Sequence, residues 1–201
     1  METGYSKWRK LDNAALAFPL VTGENDSRVF RFYCQLKHGV DPDILQQALD
    51  QTMEKYPLFQ AVLRKGLFWF YLERRGIKAL VKPEKKPPCS QLYIPDQKSL
   101  LFQVSYHENR INFEVYHALT DGTGAMNFIT ELVQNYLILA YPEADFPHIE
   151  KTDEATPGEQ EEDSFSQYYS SKIPKNKEKK PTAVQLKGEK LTHSDMQITE
   201  V

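Results

Sequence analysis

The sequence predicts an α+β protein, a two-layer sandwich in which a mixed, mostly antiparallel sheet carries two main helices on one face. Three observations lead there. Several short stretches alternate apolar and polar side chains with a period of two, which is the pattern of strands. Two longer stretches repeat their apolar residues at helical spacing. The strand-like stretches also come in runs, in the order β-α-β-β-β-β-α, rather than each being followed by a helix.

RVFRFYCQL, residues 28–36, sets Phe30, Phe32, Cys34 and Leu36 on one side and Val29, Arg31, Tyr33 and Gln35 on the other. It reads as a strand. In VDPDILQQALDQTMEKYP, Asp41 suits an N-cap with Pro42 at the first helical position. Ile44, Leu45, Ala48, Leu49, Thr52, Met53 and Tyr56 then form a single buried stripe, and Pro57 ends the helix. FQAVLR and LFWFYLER pair as a hairpin about Gly66. Aromatic residues fall on both sides of LFWFYLE, Leu67 to Glu73, as in a strand buried on both faces. VKPEKKPPCSQLYIPDQKS reads as a loop with little regular structure and solvated lysines. A second hairpin pairs LLFQVSY with INFEVYH across HENR. NFITELVQNYLILA is the second main helix, with Ile129, Leu132, Val133, Tyr136 and Leu137 along one face.

From about Pro142 the character changes. An acidic run from Glu150 to Asp163 precedes a lysine-rich stretch from Lys172 to Lys180, with SFSQYYSSKIP between them as an expected docked segment. AVQLKGEKLTHSDMQITEV reads as one or two terminal strands. The expected division is therefore a folded subdomain over 1–145 and a charged crossover over 146–201.

Composition narrows the function classes. The formal net charge of −3 supplies no field that would make nucleic acid or an anionic membrane the main partner. Two cysteines, Cys34 and Cys89, are too few for a disulfide framework and lack metal-ligand spacing. No apolar stretch approaches the ~20 residues of a membrane helix, and METGYSKWRKLDNAALAF lacks the apolar run of a signal peptide. A cytoplasmic location is expected. His38, His107, His148 and His193 stand in loops or turns and suggest no metal site.

The chemistry concentrates in FEVYHALTDGTGAMNF, residues 113–128. On INFEVYH, alternation places His117 on the side of Ile111, Phe113 and Val115, at the point where the strand leaves the sheet. A polar group there must find a hydrogen bond or it costs stability. Asp121, four residues on, is expected to fix the turn that Gly122 and Gly124 allow and to orient the imidazole. A satisfied core histidine beside a helix-capping aspartate is the alternative, and the residues alone leave both open.

YHALTDG resembles the HHxxxDG motif of the chloramphenicol-acetyltransferase-like superfamily, which includes peptide-synthetase condensation domains, plant HxxxD acyltransferases and alcohol acetyltransferases. The surrounding FEVYHALTDGTGAMNFITELVQNYL is similar to the family's strand-motif-helix unit. VDPDILQQALDQTMEKYPLFQAVLRKGLFWFYLE is similar to its first helix and hairpin. The resemblance runs from Arg28 to Tyr141 and is strongest to the N-terminal half of bacterial alcohol acetyltransferases and condensation domains. It implies half of that fold, an acyl-CoA or acyl-carrier thioester as co-substrate, and an alcohol or amine acceptor.

The resemblance makes His117 the general base, a role that contributes about 10²–10⁴-fold in rate. Asp121 becomes a structural residue paired with an arginine, for which Arg31 and Arg64 are the candidates and Arg9 a third. Gly122 allows a sharp turn under the site. Tyr116, Thr120 and Thr123 become candidates for the substrate tunnel. Tyr116 stands where the family has its first histidine. Plant members carry a DFGWG motif in their second half, and no such string occurs here. Loss of an oxyanion donor costs about 10²–10³ in rate, so a C-terminal half, or a second copy of the chain, is expected to complete the site. Two other readings stay open: a condensation-like domain served by a carrier protein, and a non-catalytic module that binds a partner through an apolar sheet face.

Overall fold

Seven strands and three helices are present among the residues that the computed structural model describes, namely 8–11, 15–23, 26–67, 69–95, 97–144 and 146. They are β1 (Trp8–Lys10), α1 (Ala17–Val21), β2 (Val29–Gln35), α2 (Pro42–Lys55), β3 (Ala61–Lys65), β4 (Phe70–Arg74), β5 (Lys82–Pro83), β6 (Phe102–His107), β7 (Arg110–Tyr116) and α3 (Gly122–Ala140), with a 3-10 turn at Pro57–Gln60 after α2. The chain divides into two compact units, Met1–Tyr168 and Tyr169–Val201, and every described residue belongs to the first. The acidic run, SFSQYYSSKIP, the lysine-rich stretch and the expected terminal strands lie outside the described residues.

The architecture is α+β and mostly antiparallel, with the strands divided between two sheets. One has the order β2-β7-β6-β5, the other β1-β4-β3. In the larger sheet β2 and β6 flank β7 antiparallel, and β5 joins β6 in parallel. The register places Phe32 and Val104 on either side of Phe113, and Tyr33 and Ser105 on either side of Asn112. Two residues turn the β6–β7 hairpin, and Glu108 there takes a left-handed φ of 50°. His107 thus ends a strand opposite Arg110 instead of lying in the turn.

Local chemistry explains the helices. The Asp41 carboxylate accepts hydrogen bonds from the backbone N–H of Asp43 and Ile44, and Pro42 follows where no donor is required. Leu45, Ala48, Leu49, Thr52 and Met53 are buried along α2, and Ala125, Phe128, Ile129, Leu132 and Tyr136 along α3. The two helices pack together, and the Asn135 amide donates to Thr52 Oγ1 at 3.0 Å. Phe128 of α3 stacks on Phe113 of β7 at 4.7 Å and on Phe59 at 4.4 Å. That aromatic cluster joins the helices to the apolar face of the sheet.

Three expectations need correction. Helix α3 begins at Gly122, five residues before Asn127, because Asp121 caps it. Strand β4 is fully buried on one face only, through Phe70 and Leu72, while Tyr71 and Glu73 on the other are partly buried and Glu73 is paired with Arg64 and Arg75. The Lys/Pro-rich loop is no free loop. After β5 it runs along the other face of β7, where Glu84, Cys89 and Tyr93 all make contacts.

Phe113 is wholly buried in the aromatic cluster. Phe113→Ala is expected to lower unfolding stability by about 3–5 kcal/mol, measured by urea titration with an unchanged m-value.

Candidate active site

Strand β7 ends at Tyr116, and the chain turns through His117, Ala118 and Leu119 before Asp121 opens α3. The turn is built from backbone bonds. His117 N–H donates to Arg28 C=O at 2.9 Å, and Leu119 N–H to Tyr116 C=O at 2.9 Å. Arg28 takes a left-handed φ of 52°, which turns its carbonyl toward this end of the sheet.

The His117 imidazole is partly buried. Phe18 of α1 lies nearly parallel to it, with ring centroids 4.4 Å apart and planes at 13°. Phe30 of β2 approaches at 5.0 Å and 55°. Among the described residues no hydrogen bond engages either ring nitrogen. An imidazole so held has aromatic rings against its faces. Phe30 shares its side of the sheet with Val115, whereas Phe18 sits in a segment without periodicity.

Asp121 does not orient that ring. Its carboxylate accepts the Gly124 N–H at 2.9 Å, and its carbonyl accepts the Ala125 N–H at 3.0 Å, so it is the N-cap of α3. No arginine pairs with it among the described residues. Arg31 is held by Glu84 at 2.6 Å and Glu114 at 3.0 Å, and Arg64 by Glu73 at 3.6 Å. Gly122 needs no special φ and a Cβ there would meet open space. Gly124 is the constrained glycine, since a Cβ there would collide with Thr120 Oγ1. Thr120 is partly buried and Thr123 exposed. Tyr116 is fully buried, stacked on Tyr93 at 5.4 Å, and its hydroxyl shares a 2.8 Å hydrogen bond with Thr22 Oγ1. It is part of the buried packing beside His117.

The face of β7 opposite the aromatic cluster is polar and buried. Glu114 receives Arg31 Nε at 3.1 Å and the Cys89 backbone N–H at 2.6 Å. Glu84 accepts from Arg31 at 2.6 Å and from Arg110 at 2.8 Å. Two guanidinium groups thus meet two carboxylates with little water between them. Burial pushes the Glu84 carboxyl up, but the hydrogen bonds from Arg31 and Arg110 outweigh it and hold the group below the usual carboxylate range. This face is therefore closed and charged. Among the described residues no cluster of histidine, cysteine and acidic side chains has the arrangement to hold a metal, and no helix is long and apolar enough to cross a membrane.

No family model matches the sequence, and no curated protein matches it. Solved structures do match. The starter condensation domain of rhizomide synthetase superposes with a TM-score of 0.55 at 13% identity, over 71% of this chain and 41% of that one. The fold is similar to half of a condensation domain. Tallysomycin biosynthesis protein TlmII matches with a TM-score of 0.52 at 13% identity, over 72% of this chain and 44% of that one. Polyketide synthase associated protein 5 from Mycobacterium tuberculosis matches with a TM-score of 0.51 at 20% identity, over 73% and 37%. The chain thus spans less than half the length of these structures. Variants of the rhizomide domain have been solved with C8-CoA, and with C8-CoA and Leu-SNAC together.

Two predictions test the site's construction. Asp121→Ala is expected to destabilise the protein by about 0.5–2 kcal/mol, while Asp121→Ser, which can cap equally well, costs far less; thermal unfolding measures both. The lowered Glu84 carboxyl contributes stability that is complete above its unfolded value of about 4.3 and lost as pH falls through its lower folded value. Urea titrations below about pH 4.3 should therefore show a steeper acid loss for the wild type than for Glu84→Gln.

Proposed function

We propose that the chain is the base-bearing half of an acyltransferase that moves an acyl group from a CoA thioester to an alcohol or amine, most like the alcohol acetyltransferases. The observation that carries this reading is the His117 ring, held at the end of the central strand with neither nitrogen engaged among the described residues. In this reading His117 takes the proton from the acceptor's hydroxyl or amine as its lone pair attacks the thioester carbonyl. The C–S bond breaks, and the leaving thiolate recovers the proton from the imidazolium. The superfamily fold supports the reading, as do the C8-CoA complexes recorded for a structural relative.

Asp121 keeps a structural role here, as the cap that sets where α3 starts, and Thr120 and Thr123 remain candidates for the substrate side of the turn. The half-length match makes a complementary half part of the proposal, supplied by further polypeptide or by a second copy of the chain. The cytoplasm, where acyl-CoA is made and used, is the proposed location.

The test combines this chain with a complementary half, or uses the longer polypeptide that contains both, with acetyl-CoA and a panel of alcohols and amines while free thiol is followed. His117→Ala is expected to slow thiol release by about 10²–10⁴-fold. Full activity in that variant would remove His117 from the chemistry.

A further inference from the structure

We propose that Tyr116 is a positioning residue for His117, its hydroxyl pinning α1 through Thr22 so that the Phe18 ring lies against one face of the imidazole. The inference rests on His117 being the base, but its geometry can be tested without turnover. Neighbours on a strand point to opposite sides, and α1 engages both of these neighbours. Phe18 stacks on His117 at 4.4 Å, and Thr22, just past the helix, meets the Tyr116 hydroxyl at 2.8 Å.

The direction of that hydrogen bond follows from counting protons. Thr22 Oγ1 donates its single proton to the Phe18 carbonyl at 2.8 Å. The bond to Tyr116 must then be made by the tyrosine O–H, with Thr22 Oγ1 accepting. Tyr116 has no water to fall back on, being fully buried, so the lost bond would leave a buried hydroxyl unsatisfied. Burial also pushes this phenol up to about 12, despite the hydrogen bond with Thr22, so the proton stays in place throughout the neutral range.

Helix α1 is five residues long and buries none of them fully. Leu20 and Val21 point into solvent, at 73% and 51% exposure. Ala15 and Leu16 anchor the chain before the helix in the core, and the two contacts already named hold its far end against the strand. The Tyr116 ring is itself fixed by stacking on Tyr93. The chain of contacts runs from Tyr93 to Tyr116, Thr22, Phe18 and the imidazole.

The test records the imidazole NMR resonances of His117 in the intact chain, assigned by their disappearance in His117→Gln. Phe18→Leu defines the ring-current displacement that the stacked phenylalanine causes. Tyr116→Phe and Thr22→Val are each expected to lose most of that displacement, Thr22→Ser to keep it, and the double variant to lose no more than either single one. Wild-type His117 resonances in folded Tyr116→Phe and Thr22→Val would overturn the proposal. Should Tyr116→Phe fail to fold, Thr22→Val decides, because Thr22 is only partly buried. With the complementary half and acyl-CoA present, Tyr116→Phe should lower kcat by about 2- to 12-fold, the equivalent of one hydrogen bond's net contribution, with KM for the thioester unchanged. The expected NMR result with no turnover even in the wild type would retire the acyl-transfer reading and leave the positioning geometry standing.

Discussion

Strand β7 is buried on both faces from Ile111 to Tyr116, and a carboxylate in such a place must be neutralised. Glu114 has 3% exposure and Asn112 none. A carboxylate at that depth costs several kcal/mol unless a cation and further donors replace its water. The β2–β7 register supplies the cation by setting Arg31 directly opposite Glu114. One guanidinium near one carboxylate still leaves donors over, and these reach Glu84, which also takes Arg110. The charged cluster is what allows a strand with alternating polar residues to be central instead of a half-solvated edge.

The same cluster decides where the Lys/Pro-rich segment goes. Glu84 brings its first part onto the sheet, and Cys89 accepts a left-handed φ of 59° while its N–H meets Glu114 at 2.6 Å. Ser27 donates to the Cys89 carbonyl, tying the residues before β2 to the same strap. Tyr93 then lands on Tyr116, one residue before the histidine. Electrostatic demands in the middle of the strand are thereby carried to the packing at its end. The site inherits rigidity from groups that do no chemistry themselves.

Much of this was legible in the sequence, because strands and helices with one buried face advertise their period. The stripe on α2, the β2 alternation and both hairpins followed from it, and Asp41-Pro42 marked a helix start to the residue. The start of α3 was misread since GTG looks like a turn, whereas glycine in a first helical turn is tolerable once Asp121 satisfies the Gly124 N–H. Family resemblance made Arg31 one of the candidates to pair with Asp121. Alternation alone had already placed it on the side of the strand away from the apolar residues, as it had Glu114, and pairing the two strands brings those opposite charges together. The strap could not be read this way. Its contacts come from single residues of a segment without period, and the only signal was one glutamate among the lysines of KPEKKPP.

The aromatic setting of His117 bears on how a reaction there is approached. Phe18 covers one face of the imidazole and Phe30 leans toward it, which would be obstructive if proton transfer used the faces of the ring. It does not. The nitrogen lone pair and the N–H bond both lie in the ring plane, so stacking restrains rotation while leaving the exchange sites at the edge. In the proposed reading, a substrate hydroxyl or amine then comes to the rim of the stack. The ring's walls are provided by Phe18 and Phe30. In the proposed reading, a base alone accounts for about 10²–10⁴ of the rate that acyl transfer requires. Stabilising the developing oxyanion is a separate demand worth about 10²–10³ more per donor, which the proposed reading assigns to a complementary half.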